Sequence, residues 1–264
     1  MPELPDVEIF RRYFNATALH QPIENVDVEK ADILKGVTVK GLRERLQGRR
    51  FHATRRHGKY LFAAFEEAFL MMHFGMTGFL RYFKKTAKEP PHTRFRIDFT
   101  NGYHLSYDCR RRLGRIRLVA APEKWVKTKH LGPDALDSNL GLSGFKARLS
   151  DSGAAVKSAL MDQTRIAGVG NIYADEILFQ AGIDPRVKAD QLAEHRLDAA
   201  YQAMQAVLSK AIQCRADPGR FPQSFIIPQR RPGGRCPHCG NDLEATKISG
   251  RKTYFCPRCQ TGRT

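Results

Sequence analysis

Apolar residues at the start of the chain recur at helical spacing, and short apolar runs follow them. Val7, Phe10 and Phe14 come behind Pro5, a residue favoured at helix starts, so the first predicted element is a helix over residues 5–14. Eight short runs then follow at a spacing typical of the strands of a β-sandwich or barrel. The predicted strands are residues 23–28, 50–55, 60–65, 69–73, 79–83, 95–99, 103–107 and 116–120.

Asn101 and Gly102 separate two of these runs and give the strongest hairpin signal in the sequence. A two-residue turn between antiparallel strands needs positive φ, which Asn and Gly tolerate better than other residues. We therefore expect a two-residue hairpin turn at this pair.

The pattern becomes helical after residues 131–134, whose Leu-Gly-Pro-Asp sequence is typical of a linker. Helices are predicted over residues 142–149, 154–163, 172–181 and 192–213. Gly182, followed by Pro185, is expected to end the third of these helices. Residues 215–235 are rich in Pro, Gly and Arg, which indicates a loop, and a short cysteine-bearing segment closes the chain.

The charge balance suggests the class of partner. The chain of 264 residues carries 44 Lys and Arg against 27 Asp and Glu, a net charge of +17. Such an excess favours a polyanion, nucleic acid before an anionic membrane surface. The opening residues lack the basic-then-apolar pattern of a secretory signal, and Glu66, Glu67 and His73 interrupt the longest apolar region. We expect a cytosolic protein without a membrane span.

Four cysteines form two Cys-x-x-Cys pairs with sixteen residues between them, namely Cys236, Cys239, Cys256 and Cys259. This spacing predicts a zinc ribbon with one structural Zn²⁺, because each pair supplies two thiolates to a tetrahedral site. His238 is a poor ligand candidate, since four cysteines complete the shell. Two disulfides or unligated thiols are the alternative. Cys109 and Cys214 stand alone and are interpreted as ordinary thiols.

The ribbon hairpin also carries four basic residues, Lys247, Arg251, Lys252 and Arg258. Basic side chains on a metal-held hairpin can contact phosphates, although a solvated charged face is equally compatible with the pattern.

The first residues could form a nucleophile. Removal of Met1 before the small Pro2 would leave a secondary amine, with the carboxylate of Glu3 one residue away. An α-amino group titrates near ~7.7–8, well below lysine, so a larger fraction is free base at neutral pH. Such an amine can attack a sugar aldehyde carbon and form an imine. The alternative is an ordinary frayed N-terminus.

Four further segments are candidates for nucleic-acid contacts. In residues 168–173, glycines permit close backbone approach, and Asn171 is the expected N-cap of a helix whose N-terminus could bind phosphate. The others are the His57-Gly58-Lys59 turn, the loop that contains His73 and Met76, and the run Arg110-Arg111-Arg112-Leu113. A flexible apolar residue beside guanidinium groups suits a protein that replaces an extruded base. An ordinary helix–helix turn and ordinary core or surface positions are the alternatives, and Trp125 is interpreted as core packing.

Together, these features resemble the formamidopyrimidine-DNA glycosylase/endonuclease VIII family of base-excision repair enzymes. The resemblance covers the whole chain, and its markers are Met1-Pro2-Glu3-Leu4-Pro5, residues 168–173, and the ribbon with Gly250-Arg251 and Cys256-Pro-x-Cys259-Gln260. It implies an α+β fold: an N-terminal β-sandwich with flanking helices over residues 1–132, a helix-two-turns-helix domain over 133–234, and a β-hairpin zinc ribbon over 235–264.

The resemblance also implies roles for individual residues. Pro2 matches the family's nucleophile, Glu3 its acid/base partner, and Lys59 the lysine that engages the DNA backbone and assists catalysis. Asn171 and Arg251 match phosphate-binding residues, while His73 and Met76 match the loop whose methionine fills the vacated base space. Two departures from the family pattern are Asp6 in place of Glu and Leu113 in place of the intercalating Phe. The arginine-rich loop is one residue longer, so Arg111 and Arg112 both remain candidates for the arginine that accompanies it.

The implied function is a bifunctional DNA glycosylase/AP lyase that acts on double-stranded DNA with oxidised bases or abasic sites. Ring-opened formamidopyrimidines and 8-oxoguanine are the expected lesions, and an endonuclease VIII-like preference for oxidised pyrimidines is the alternative. Leu4 favours formamidopyrimidines and 8-oxoguanine as the lesions, whereas the short segment 215–235 favours oxidised pyrimidines. A non-catalytic damaged-DNA-binding protein and a ribosomal or transcriptional zinc-ribbon protein are the alternatives from other classes. We expect a monomer in the cytoplasm, associated with the nucleoid.

Overall fold

The computed structural model describes residues 1–261, which divide into two compact units. The first unit contains Met1–Pro2 and Asp6–Lys129, and the second contains Glu3–Pro5 and the chain from His130 onward. Residues 3–5 are therefore grouped with the second unit, although their sequence neighbours belong to the first. The predicted division of the chain at residues 132 and 234 stays a prediction.

The first unit contains two four-stranded antiparallel sheets and short helices. The strands are β1 (Ile23–Asp27), β2 (Ala53–His57), β3 (Tyr60–Phe65), β4 (Ala68–His73), β5 (Gly78–Lys84), β6 (Thr93–Phe99), β7 (Tyr103–Cys109) and β8 (Arg115–Val119). One sheet has the order β1-β6-β7-β5 and the other has the order β2-β3-β4-β8. The helices are α1 (Leu4–Thr17), α2 (Val39–Leu46) and α3 (Pro122–Thr128). Apolar side chains of both sheets, α1 and α2 form one buried core.

All eight predicted strands are present, but the second begins later than expected. Phe51 makes an isolated bridge to Leu19 instead of starting the strand, and its ring packs against Phe14 at 5.1 Å. Helices α2 and α3 were not predicted. Each has only two turns, too few for a recognisable apolar period, and α2 begins where Thr38 Oγ1 accepts a hydrogen bond from Gly41 N.

The hairpin at Asn101 is present, but the predicted two-residue turn is wrong. Three residues separate β6 from β7, and Gly102 N donates to Phe99 O at 3.1 Å. Of these three residues, Gly102 alone has positive φ, at 78°, and Asn101 Oδ1 accepts a hydrogen bond from Tyr103 N. Trp125 packs against Tyr60 and is buried, as predicted.

The second unit contains four helices and a two-stranded hairpin. The helices are α4 (Gly141–Ser150), α5 (Val156–Met161), α6 (Asn171–Gln180) and α7 (Glu194–Gln213), and strands β9 (Glu244–Ile248) and β10 (Arg251–Phe255) form the hairpin. The four helices were predicted, and α5 is the shortest. It stops early because Asp162 Oδ1 accepts hydrogen bonds from Thr164 N and Oγ1, which starts a turn. Together, the two units confirm the predicted α+β fold class. No helix within residues 1–261 combines the length and apolar character needed to cross a bilayer.

Candidate active site and nucleic-acid interface

The carboxylate of Glu3 lies at the N-terminus of α6. It is fully buried, and its two oxygens accept three backbone hydrogen bonds: from Gly170 N at 2.8 Å, Ile172 N at 2.8 Å and Tyr173 N at 3.2 Å. The first N–H groups of a helix lack intrahelical partners, and the helix dipole favours negative charge at this end. The fold therefore fixes both the position and the orientation of the Glu3 carboxylate.

The prediction that Asn171 caps this helix is wrong, whereas phosphate binding by Asn171 stays a prediction. Gly170 is the N-cap, and the anion at the free N–H groups is the Glu3 carboxylate. Gly170 is required here because a Cβ at this position would overlap the carboxyl group of Glu3. An internal carboxylate thus occupies the N–H groups of Gly170, Ile172 and Tyr173.

Leu4 is held in the same turn as Glu3. Its backbone N donates to Gly168 O at 3.1 Å, and Gly168 has φ +118°. A Cβ on Gly168 would lie 2.5 Å from Leu4 Cδ1, so a side chain at position 168 would displace the opening segment. Because Glu3 and Leu4 are completely buried, the alternative of a frayed chain start is wrong for these residues.

Asn171 instead belongs to a buried polar network around Lys157. The ammonium of Lys157 is fully buried and donates to Asn171 Oδ1 and Thr253 Oγ1, both at 2.7 Å. Asn171 Nδ2 in turn donates to Lys252 O at 3.2 Å. These bonds connect α5, the start of α6 and strand β10, so they set the position of the Asn171 side chain.

Asp175 supplies the negative charge of this network. Its Oδ1 forms an ion pair with Lys157 Nζ at 2.7 Å, and its Oδ2 accepts from Arg230 Nη2 at 2.7 Å and from Tyr254 N at 3.1 Å. Burial lowers the pKa of Lys157, and the charge of Asp175 opposes that effect. The sequence interpretation missed this network. The sequence did offer one signal of this network: two charged residues, Lys157 and Asp175, lie among the apolar positions of predicted helices.

The network brings Asn171 close to the predicted phosphate contact Arg251. Arg251 pairs with Ile248 at the turn end of the β9–β10 hairpin, and it is exposed. The carbonyl bonded by Asn171 belongs to Lys252, the residue next to Arg251. Asn171 therefore bonds the backbone directly beside Arg251, although the two residues were predicted from distant segments.

Replacing Lys157 by Met is expected to lower the free energy of unfolding by about 3 kcal/mol, because it removes one partner of a buried ion pair. Lys146→Met is the matched control, since Lys146 pairs with Glu194 at the surface and should change stability much less. Chemical denaturation of both variants measures the difference. Equal losses in the two would contradict a structural role for the buried ammonium.

The four ribbon cysteines form a site that fits one zinc ion. Their sulfur atoms all lie within 4.8 Å of one another, with Cys236–Cys259 at 3.7 Å and Cys239–Cys256 at 3.6 Å. Zn–S bonds of ~2.3 Å in a tetrahedron would separate the sulfurs by about 3.8 Å. All of these thiols are free, so the disulfide alternative is wrong. His238 packs its ring against Phe179 at 4.5 Å, which agrees with its exclusion from the ligand set.

In the first unit, Lys59 lies in the turn between β2 and β3. Arg56 connects this turn to α1, because it pairs with Glu8 Oε2 at 3.3 Å and donates to Gly58 O at 3.2 Å. Burial raises the pKa of Glu8, but hydrogen bonds from Arg11 and other nearby arginine charges outweigh it and lower the pKa to about 2. The carboxylate of Glu8 is therefore ionised, and it holds the Lys59 turn against the helix that begins at the chain start.

His73 follows the buried part of β4 and is neutral at physiological pH. Burial lowers its pKa to about 4, and the charges of Lys59 and Arg115 add to the effect. Its ring packs against Tyr60 at 4.8 Å, and its backbone O accepts from Tyr107 Oη at 2.8 Å. Lys59 and His73 therefore influence each other electrostatically, although they come from different predicted segments.

The loop with Met76 packs against the arginine-rich loop. A Cβ on Gly75 would lie 2.5 Å from the carbonyl carbon of Leu113, and Arg111 N donates to Thr77 Oγ1 at 3.2 Å. The Leu113 side chain is 42% exposed. Arg112 has φ +52° and pairs with Asp32 at 3.3 Å. The two loops predicted to replace an extruded base are thus adjacent.

Three family models match successive parts of the chain. The formamidopyrimidine-DNA glycosylase N-terminal domain matches residues 1–116, and the H2TH domain of the same enzymes matches residues 131–221. A zinc finger found in FPG and IleRS matches residues 233–262. With the four clustered cysteines, this last match identifies a site for one structural zinc ion.

Whole proteins of this type resemble the chain over nearly its full length. The formamidopyrimidine-DNA glycosylase of Desulfitobacterium hafniense is 32% identical over 274 residues, which cover 98% of this chain and 100% of that protein. The enzyme of Pelotomaculum thermopropionicum is 33% identical, with 98% and 99% covered.

Solved structures agree with this similarity. The Lactococcus lactis enzyme bound non-covalently to DNA with an AP site has a TM-score of 0.88 at 27% identity, with 98% and 99% of the chains covered. MutM in complex with carbocyclic 8-oxo-G DNA has a TM-score of 0.88 at 28% identity, with the same coverage. The predicted resemblance is confirmed, and the chain belongs to the formamidopyrimidine-DNA glycosylase family.

Proposed function

We propose that this protein is a bifunctional DNA glycosylase/AP lyase that excises ring-opened formamidopyrimidines and 8-oxoguanine from double-stranded DNA. The observation that supports it most is the family match over the whole chain, together with the fixed Glu3 carboxylate one residue from Pro2. Relatives of similar fold have been solved with Fapy-dG DNA and with 8-oxo-G DNA. Their lesions define the substrate class proposed for this chain.

The proposed chemistry begins after Met1 is removed. The Pro2 nitrogen attacks C1′ of the extruded nucleotide, the bond from C1′ to the base breaks, and the base leaves with a proton. Ring opening of the sugar gives an iminium between Pro2 and C1′. Loss of a C2′ proton then breaks the C3′–O bond, and a second elimination breaks the C5′–O bond. Glu3 exchanges protons with the sugar, and Lys59 assists at the neighbouring phosphate.

DNA contacts in this proposal fall into two groups. Asn171 and Arg251 bind phosphates of the damaged strand, where charge-assisted contacts fix the register of the duplex. A second group fills the space left by the extruded base, namely His73, Met76, Arg111, Arg112 and Leu113. Within it, Arg111 is the preferred base-facing arginine, because Arg112 already pairs with Asp32. The net charge of +17 supports tight binding to a polyanion.

Borohydride reduction is expected to trap a covalent adduct between the processed protein and abasic-site DNA, because an iminium is reduced to a stable amine. Mass spectrometry of the intact protein establishes whether Met1 is absent, and electrophoresis detects the adduct. If protein that lacks Met1 forms no adduct, the glycosylase/lyase proposal is wrong, and a non-catalytic damaged-DNA-binding protein becomes the better interpretation.

The alternative lesion class is oxidised pyrimidines, as in endonuclease VIII. The short segment over residues 215–235 favours it, whereas the names of the relatives favour oxidised purines. Cleavage of matched duplexes that contain 8-oxoguanine or thymine glycol distinguishes the two. We further propose that the protein acts as a monomer on chromosomal DNA in the nucleoid.

A further inference from the structure

Phe79 differs from every other phenylalanine in its exposure to solvent. The chain has 16 phenylalanines, all within the described residues, and Phe79 is the one in the exposed class, at 39%. Met1 and Leu113 are the other large apolar side chains described as exposed. A single exposed apolar residue needs no special explanation. Whether Phe79 has a function therefore has to be judged from its position in the fold.

Phe79 lies next to the two loops of the candidate nucleic-acid interface. It is the second residue of β5, which follows the loop with Met76 directly. In the sheet, Phe79 pairs with Asp108 and Gly78 pairs with Cys109, the last two residues of β7 before the arginine-rich loop. The hydrogen bond from Arg111 N to Thr77 Oγ1 ties the two loops together at this end.

The alternation of buried and exposed residues along β5 determines which side of the strand Phe79 occupies. Gly78 and Leu80 are buried, whereas Phe79 and Arg81 are exposed, so these two share the solvent-facing side of β5. Because β5 is an edge strand, no further strand lies beside it in the sheet. The Phe79 ring thus shares its exposed face with Arg81, and the adjacent loop carries three more exposed arginines, Arg110, Arg111 and Arg112.

This combination suits an unstacked nucleic-acid base. Aromatic side chains stack on base faces, while arginines provide the electrostatic attraction to the backbone. The neighbouring wedge residue in this chain is Leu113, which has no aromatic face. An aliphatic wedge can separate two base pairs, but it cannot replace the stacking that the separated bases lose.

We propose that Phe79 stacks on a base exposed beside the gap left by the extruded nucleotide, and so supplies the aromatic surface that Leu113 lacks. This inference rests on the proposed function, since it assumes that the bound duplex has an extruded nucleotide. In this proposal Phe79 contributes to binding only when the duplex contains a lesion, whereas the phosphate contacts contribute to binding of any duplex.

The test compares Phe79→Leu with Phe79→Tyr in the full-length, zinc-loaded protein. Leucine keeps an apolar side chain without the aromatic face, and tyrosine keeps the face. Affinity is measured by fluorescence anisotropy for a duplex with a tetrahydrofuran abasic analogue and for the undamaged duplex. Phe79→Leu is expected to weaken binding to the analogue about tenfold, a loss within the range for one stacked base. Phe79→Tyr should stay within about twofold of the unsubstituted protein on the analogue duplex.

Three further measurements separate stacking from charge and from folding. Arg81→Gln removes a charge from the same face and should weaken binding to both duplexes alike. With 2-aminopurine opposite or beside the analogue, the unsubstituted protein should quench its fluorescence, and Phe79→Leu should quench less. Thermal unfolding of Phe79→Leu should be unchanged, because the side chain is exposed.

The proposal is overturned if Phe79→Leu binds the analogue as tightly as the unsubstituted protein, or if it loses affinity equally for both duplexes. Borohydride trapping with the unsubstituted protein is scored separately. A trapped adduct together with unaltered binding by Phe79→Leu would reject the role of Phe79 alone, whereas a missing adduct would reject the proposed function.

Discussion

Replacing Pro2 by Gln is expected to reduce strand incision at an abasic site by at least about a thousandfold, because the covalent route is lost. Glutamine is too large for efficient removal of Met1, so the nitrogen of residue 2 remains in an amide and has no nucleophilic lone pair. Binding to a duplex with a tetrahydrofuran analogue should stay within about threefold, since phosphate contacts provide most of the affinity. Single-turnover incision and anisotropy measure the two quantities.

Pro2→Gly is the matched control for this change. Glycine is small enough for Met1 to be removed, so a free α-amine is retained, but it is a primary amine. A secondary amine forms a charged iminium directly, whereas a primary amine forms an imine that has to be protonated before elimination. We therefore expect incision by Pro2→Gly between that of the unsubstituted protein and that of Pro2→Gln. Full incision by Pro2→Gln with Met1 retained would contradict the role of the proline nitrogen.

Replacing Cys256 by Ser is expected to release the zinc ion and unfold the ribbon. Cys256 is completely buried, and structural zinc contributes roughly 10–16 kcal/mol of apparent binding free energy to such small segments. Loss of the ribbon would also remove the hydrogen bond from Lys157 Nζ to Thr253 Oγ1 and the one from Tyr254 N to Asp175 Oδ2. Affinity for damaged duplex should fall by at least about a hundredfold, because the phosphate contacts proposed for Arg251 and Asn171 would be lost together.

Cys214→Ser provides the comparison for the zinc experiment. This thiol is free and lies outside the four-cysteine cluster, so zinc content and binding should not change. Metal analysis after gel filtration measures the zinc, and anisotropy measures the affinity. Cys256→Ser protein that kept one zinc ion per chain and bound DNA normally would rule out the proposed structural role of the metal.

Sequence patterns predicted the elements that are determined by residues close together in the sequence. Strands were identified because short apolar or alternating runs mark them, such as the buried run of β3 and the alternation along β5. The zinc site was identified because its cysteines stand in two closely spaced pairs. Helices α2 and α3 were missed because two turns provide too few positions for a period. The cap of α6 was assigned to Asn171 because the actual capping group, the Glu3 carboxylate, is 167 residues distant in sequence from Gly170.

The same limit applies to the ionic network. Lys157 and Asp175 can be seen as charged residues within apolar helical patterns, but their partners Arg230 and Thr253 come from a loop and a strand far along the chain. No local rule connects them. The family resemblance supplied the identities of Asn171 and Arg251, and the structure supplied the contacts that make them neighbours.

The hydrogen bonds between Glu3 and the start of α6 have a consequence for biosynthesis. Their partners are made 167 or more residues after Glu3, roughly 10 to 30 s later at an elongation rate of about 5–20 residues per second. During that interval these hydrogen bonds of the Glu3 carboxylate cannot form, because the N–H groups that make them have not been synthesised. Under the proposed function, Met1 would be removed from the ribosome-bound chain before the proposed nucleophile is anchored in this turn.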